Sequence, residues 1–411
     1  MKLNPRFKLF LQFLIMLGLW ALIFYRCVPS SSVPPPQNPS PTQTKADTLS
    51  KATVVPSSPM IPIASVKASS GVLLSWFAGH SQVIKKSTND GTTWSNIKIP
   101  STVQGPILDM VSVSTKNAST IFAITKTGEL FNSVDAGSTW MNLPKISLSG
   151  TNNDTVFSNI ILKNSKTLFV FGSDLSFMTG IVLKSVDGGH TWSDVSPTLT
   201  GYHKFSSGTY DAFTNAVTAF DSWNGCILTS VDDVSGVSHG SWSSDCLPKA
   251  DPDSYAWGGT DRAIIQGTQV VVGESLTGKG NSSATWYKQL GASTWTTRPS
   301  TLFLNYAGGF VNLSGKSILY TCTPGGRLFT TPTAGFNWVE ITASLTKSLP
   351  GLNFISCNRV LALGDNELFV MGSGSKNESI ILHSTDSGGT WSRAEDSSDF
   401  TPGGYAGMLK L

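Results

Sequence analysis

One eight-residue pattern, S-x-D-x-G-x-x-W, recurs along this chain and restricts its fold more than any other feature. It reads Ser133-Val-Asp135-Ala-Gly137-Ser-Thr-Trp140, then Ser185-Val-Asp187-Gly-Gly189-His-Thr-Trp192, then Ser384-Thr-Asp386-Ser-Gly388-Gly-Thr-Trp391. Ser87-Thr-Asn89-Asp-Gly91-Thr-Thr-Trp94 is the same with Asn in the Asp slot. Three worn copies fill the gaps. Ser230-Val-Asp232 opens one with a longer loop before Trp242, and Trp295 closes another that keeps only Gly-x-x-x-Trp. The third keeps Gly335 and Trp338 with Thr in place of Ser and Asp. Successive tryptophans lie 43 to 53 residues apart, the length of a four-stranded unit with its loops.

Each position has a structural task. The carboxylate can accept backbone N–H groups of its own turn. The Ser hydroxyl can bond across the turn. The Gly supplies a positive φ. The Trp packs against a neighbouring unit and can donate its N–H. These residues are therefore read as fold-forming rather than catalytic. Apolar runs precede the turns, such as Thr167-Leu-Phe-Val-Phe171 before Ile181-Val-Leu183 and Glu367-Leu-Phe-Val-Met371 before Ile380-Ile-Leu382. Continuous apolar runs suit strands covered on both faces. The expected fold is all-β, a seven-bladed β-propeller with the pattern in each blade's outer hairpin. Charged residues make up only 13% of the chain, which disfavours long surface helices.

The pattern resembles the Asp-box, or BNR repeat. Propellers of that kind include sialidases, some plant-polysaccharide hydrolases, sortilin-type receptors and the photosystem II assembly (stability) factors with their bacterial relatives. The strand rhythm is most similar to the last group. That resemblance implies a binding or scaffold propeller with no cofactor and no metal. Sialidases of this superfamily clamp their substrate with three arginines, but only Arg262, Arg298, Arg327, Arg359 and Arg393 fall in the repeat region. Arg298 and Arg393 follow turn tryptophans, so too few remain for such a clamp. A glycoside hydrolase using two carboxylates is the alternative, with Asp109, Asp154, Asp211, Asp221, Asp261 and Glu274 as the carboxylates outside the turns.

The N-terminus has its own character. Lys2, Arg6 and Lys8 precede an apolar run from Leu9 to Tyr25. The run reads as a transmembrane signal anchor with a cytoplasmic N-terminus, or else as a cleaved signal peptide. Phe24, Tyr25 and Arg26 are bulky where a signal peptidase needs small residues. Residues 28–59 are rich in Pro, Ser and Thr and form a disordered linker. The organisation is thus anchor 1–27, linker 28–59 and propeller 60–411, with the propeller extracytoplasmic at the cell membrane or secreted.

Of five cysteines, Cys27 stands at the membrane end. The other four either pair in an oxidising compartment, as Cys226 with Cys246 and Cys322 with Cys357, or remain buried thiols. The C-terminal Gly404–Leu411 segment is expected to close the ring against residues 60–67 or 72–78. Two aromatic-rich loops are the candidate ligand face: Tyr202 and His203 through Asp211, and Asp251 through Tyr255, Trp257, Asp261 and Arg262. His203 itself is read as a surface histidine. The partner expected there is a protein or a glycan. The formal net charge of +3, with no basic stripe outside the N-terminus, points away from nucleic acid.

Overall fold

A computed structural model describes residues 72–410, apart from 78–82, 115–118, 148–154, 175–178, 213, 233–240, 249–253, 266–267, 278–279, 290, 301–310, 313–317, 324, 333–336, 363–365, 376–378 and 395–404. For 77, 83, 114, 254–284, 298–300, 311–312, 358, 362, 379 and 405–410 it describes the course of the backbone alone. The apolar run 9–25, Cys27, the Pro-rich spacer, Asp154 and Gly335 lie outside the described residues.

Each pattern-bearing stretch folds into a small antiparallel sheet, and seven four-stranded sheets result. Sheet one holds Leu73–Phe77, Val83–Ser87 and Ser95–Lys98. Sheets two and three run from Ile107–Ser114 to Met141–Asn142 and from Thr155–Leu162 to Ser193–Asp194. Sheets four and five run from Phe205–Asp211 to Ser243–Cys246 and from Ser254–Ile265 to Thr296–Ser300. Sheets six and seven run from Val311–Asn312 to Val339–Glu340 and from Phe354–Ala362 to Ser392–Arg393. The first strand of each sheet from two to seven is its inner one.

The apolar runs explain where the core sits. Every residue of Leu168–Asp174, the second strand of sheet three, is buried. Alternate side chains of a strand point to opposite faces. Leu168 and Val170 accordingly pack with Phe122 and Ile124 of sheet two, while Phe169 and Phe171 pack with Phe205 and Val217 of sheet four. The core is a series of apolar seams between sheets, each wedged by aromatic rings worth roughly 1.5–3 kcal/mol when fully buried. The outermost strands have one neighbour only, and both residues of Met141–Asn142 and of Ser193–Asp194 are exposed.

Six such seams separate consecutive sheets: one–two, two–three, three–four, four–five, six–seven and seven–one. The ring traced around the axis counts six blades, one fewer than the seven expected. At the five–six junction the inner strands Ser254–Ile265 and Val311–Asn312 lie side by side, and Trp338 Nε1 donates to Thr285 Oγ1 at 3.2 Å. The strand Tyr405–Lys410 joins the ring's ends. It pairs antiparallel with Leu73–Phe77, Leu73 facing Lys410, and becomes the inner strand of sheet one.

Four turns share one hydrogen-bond design. The Ser hydroxyl oxygen accepts the Gly N–H at 2.9 Å in Ser87–Gly91 and 2.8 Å in Ser133–Gly137, Ser185–Gly189 and Ser384–Gly388. The hydroxyl then donates to Asn89, Asp135, Asp187 or Asp386. Those side-chain oxygens accept the N–H of Thr93, Thr139, Thr191 or Thr390 at 2.8–2.9 Å. Both residues at each turn's tip have positive φ, as in Ala136 (55°) and Gly137 (78°), which fits the right-handed twist of the strands.

The tryptophans tie one sheet to the one before it. Trp94 Nε1 donates to Ala394 O at 3.2 Å, Trp242 Nε1 to Val195 O at 2.9 Å, and Trp295 Nε1 to Asp245 Oδ1 at 2.9 Å. Trp391 Nε1 donates to Ser344 Oγ at 3.0 Å, on the short helix Thr342–Ser348 that follows sheet six. This helix was not foreseen from the sequence.

The worn fourth turn departs from the expected self-contained design. Asp232 reaches out to sheet three, where it takes Lys163 Nζ at 3.0 Å and Lys184 Nζ at 2.5 Å. Disulfides join Cys226 to Cys246, opposite each other within sheet four, and Cys322 of sheet six to Cys357 of sheet seven.

Candidate functional site

The chain's direction alternates from strand to strand, so each sheet has two kinds of edge. The S-x-D-x-G-x-x-W turns leave on one face of the ring. The turns between second and third strands, and the passages from one sheet to the next, leave on the other. Tyr202 and His203 lie in such a passage, between sheets three and four, and Ser222–Gly225 forms the adjoining second-to-third turn.

Asp221 organises this rim. It is 1% exposed. Its Oδ2 accepts His203 Nδ1–H at 2.6 Å and Asn224 Nδ2–H at 2.7 Å. Its Oδ1 accepts the backbone N–H of Lys204 at 3.1 Å and of Trp223 at 3.0 Å. Asn224 Nδ2 also donates to Tyr202 O at 2.8 Å. This arrangement fixes two rings at the surface: Tyr202 is 61% and Trp223 40% exposed, and they meet edge to face, 6.3 Å between centroids. Buried acceptors that are fully used make a rigid support.

The structure corrects several expectations. His203 is not a free surface histidine, because its side chain is 14% exposed and bonded to Asp221. The stretch Phe205–Asp211 is the inner strand of sheet four rather than a loop. Tyr255, Trp257, Asp261 and Arg262 likewise lie on one strand, Ser254–Ile265, the inner strand of sheet five. A twelve-residue strand absorbs Gly258 and Gly259 because its register shifts between Gly258 and Asp261, and such bulges accommodate glycine. Their side chains, and that of Glu274, lie outside the described residues.

Among the described residues, three of the carboxylates considered for a hydrolase, Asp109, Asp211 and Asp221, accept hydrogen bonds. Asp221 holds the rim. Asp211 Oδ2 accepts Thr214 Oγ1–H at 2.6 Å. Asp109, on the inner strand of sheet two, accepts Met110 N–H at 3.0 Å and Ile160 N–H at 3.3 Å. Burial pushes its carboxyl above the usual range, against the opposing pull of Arg359 and those N–H groups. Sequence reasoning missed Trp223 and Asn224. Asp221-Ser-Trp-Asn-Gly225 reads as a turn, and Trp223 is one of the few tryptophans outside the repeat.

Small antiparallel sheets arranged about an axis, with packing seams between them and a rim of loops, define an all-β propeller. No protein-family model matches the sequence, and no curated protein matches it. Solved structures share the fold. YCF48 from Cyanidioschyzon merolae superposes with a TM-score of 0.54 at 12% identity, over 81% of this chain and 97% of that one. A structure of YCF48 bound to D1 peptide gives 0.51 at 12% identity, over 81% and 98%. The GH74 xyloglucanase from Xanthomonas campestris gives 0.55 at 12% identity, and the match covers 81% of this chain but 54% of the enzyme. The neighbours thus include both a peptide-bound protein and a xyloglucanase.

Proposed function

We propose that this chain is a non-catalytic Asp-box propeller that binds a protein partner through the rim around Tyr202 and Trp223. The observation that carries the reading is the pair of exposed rings on a buried, fully bonded Asp221 support. Aromatic side chains held rigidly at a surface are typical anchors of protein interfaces, because little freedom is lost on binding. The likeness to YCF48, which occurs bound to a peptide, supports the same reading. Trp286 and Trp295 join sheets four and five, and Trp338 joins five and six, so the rim sits on a connected support. The Leu9–Tyr25 run tethers the propeller to the membrane, on the extracytoplasmic side. The two disulfides support that side, since such bonds persist in oxidising compartments.

The test is capture of a partner from native membranes by the full-length chain, compared with the Tyr202→Ala/Trp223→Ala double variant. Loss of such anchors weakens binding by ~30-fold or more. Equal capture by both chains refutes the rim. Release of sugar from xyloglucan or sialosides by the purified chain refutes the non-catalytic reading.

A further inference from the structure

The two disulfides sit in different surroundings. Cys322 and Cys357 are 0% and 3% exposed and join two sheets, six and seven. Cys226 and Cys246 face each other within sheet four. Cys226 is buried, whereas Cys246 is exposed at the end of the outermost strand Ser243–Cys246. Of the four bridged cysteines, Cys246 alone is exposed. A disulfide opens when a thiolate attacks one of its sulfurs, so access decides which bond reacts and which sulfur is struck.

The accessible bridge abuts the rim. Asp221 and Cys226 stand opposite each other in the ladder and enclose the turn Ser222–Gly225, which presents Trp223. Gly225 N–H donates to Asp221 O at 2.8 Å, and Gly225 O accepts Leu247 N–H at 2.9 Å. Cys226 to Cys246 is the rung next to that turn. The rungs Ile227 to Asp245, Leu228 to Ser244 and Thr229 to Ser243 lie further from it. Opening the bond therefore leaves the two strands paired but frees their rim end. Each sulfur already has an oxygen in reach: Asn224 O lies 3.6 Å from Cys226 Sγ, and Ser244 Oγ lies 3.4 Å from Cys246 Sγ. A disulfide sulfur has no proton to give, so the Asn224 contact becomes a hydrogen bond only in the thiol.

We infer that Cys226–Cys246 is a thiol-exchange site, opened by an external dithiol through Cys246, and that its opening loosens the turn presenting Trp223. One thiolate of the dithiol attacks Cys246 Sγ, and the bond between Cys226 and Cys246 breaks. A mixed disulfide forms at Cys246, while Cys226 leaves as a thiolate and takes up a proton. The second thiol of the dithiol loses its proton and attacks its own sulfur in the mixed disulfide, so that Cys246 leaves and is protonated in turn. Two electrons and two protons pass to the protein, and the dithiol ends as its own disulfide. Any consequence for partner binding rests on the rim reading above.

The experiment treats the folded full-length chain, its free thiols blocked beforehand, with dithiothreitol or reduced thioredoxin. New thiols are alkylated at intervals and assigned to their cysteines by mass spectrometry. Cys226 and Cys246 are expected to appear at least about tenfold faster than Cys322 and Cys357. A thioredoxin lacking its second active-site cysteine should be trapped on Cys246. Cys226→Ser/Cys246→Ser imitates the open form, and hydrogen exchange across residues 222–226 should rise about tenfold in it. Cys322→Ser/Cys357→Ser should leave exchange there unchanged. Should the first variant fail to fold, the wild-type chain opened by dithiothreitol gives the same comparison. Equal rates at the two bridges, trapping on Cys226, or unchanged exchange in the turn each overturns the inference. Rim-dependent capture without selective opening sinks this inference alone, whereas selective opening with capture that Tyr202→Ala/Trp223→Ala leaves intact sinks the rim alone.

Discussion

The sheets with intact S-x-D-x-G-x-x-W turns and those with worn turns hold together by different means. Sheets one, two, three and seven lock their outer hairpins with bonds made inside the turn, Ser to Gly and Asp or Asn to Thr. Sheets four to six have lost parts of that pattern, and links between distant residues concentrate there. Asp232 takes two lysines of sheet three, Lys288 pairs with Asp245 of sheet four, one disulfide closes sheet four, and the other ties sheet six to sheet seven. Local hydrogen bonds have given way to ionic and covalent cross-links. A repeat can therefore drift in sequence while its sheet persists, provided that a neighbour supplies another tie.

The sharpest way to break this comparison is to remove the cross-links. Replacing Cys322 and Cys357 together by Ala, which opens a link across 35 residues, should cost about 2–4 kcal/mol in denaturant unfolding. A cost near zero would mean that sheets six and seven need no such tie. Next comes Lys184→Met, which leaves Asp232 with one lysine fewer; the expected loss is about 1–3 kcal/mol, read as a lower melting temperature. Ser133→Ala removes one hydroxyl that accepts from Gly137 and donates to Asp135, and should cost about 1–2 kcal/mol. If Ser133→Ala proves costlier than Lys184→Met, the intact turns are the more heavily dependent class.

The smallest effect is expected at Asp386→Asn, within ~0.5 kcal/mol at neutral pH, since Asn89 fills the same slot. Its use lies in the pH profile. The backbone N–H and hydroxyl of Thr390 hold the Asp386 carboxyl down at about 2, below its ordinary 3.8. Stability from a depressed carboxyl is complete above the unfolded value and fades as pH falls through the folded one. Acid unfolding should therefore steepen between about pH 4 and pH 2. The Asn variant should lose part of that slope, and an unchanged profile would show that the turn carboxylates do not govern acid unfolding.

Much of this fold was legible because its signals are local. A turn that needs Ser, Asp, Gly and Trp at fixed offsets writes itself into eight residues, and the apolar runs of the second strands follow from being covered on both sides. The closing strand was legible in kind, and the structure places it against Leu73–Phe77. The loops expected around Tyr210 and Trp257 were misread as loops, because Gly and Ser there sit in bulged inner strands. The rim was half legible. Tyr202 and His203 drew attention by type, but Asp221 acts through contacts that only the adjoining turn reveals.

The closing strand has a consequence for biogenesis. Leu73–Phe77 is made long before its partner Tyr405–Lys410, because almost the whole propeller lies between them in the chain. Until then sheet one lacks its inner edge and presents unpaired backbone, the kind of edge that invites mispairing with other chains. A molecule still short of that strand is thus an open horseshoe, and a chain deprived of Tyr405–Lys410 stays open for good.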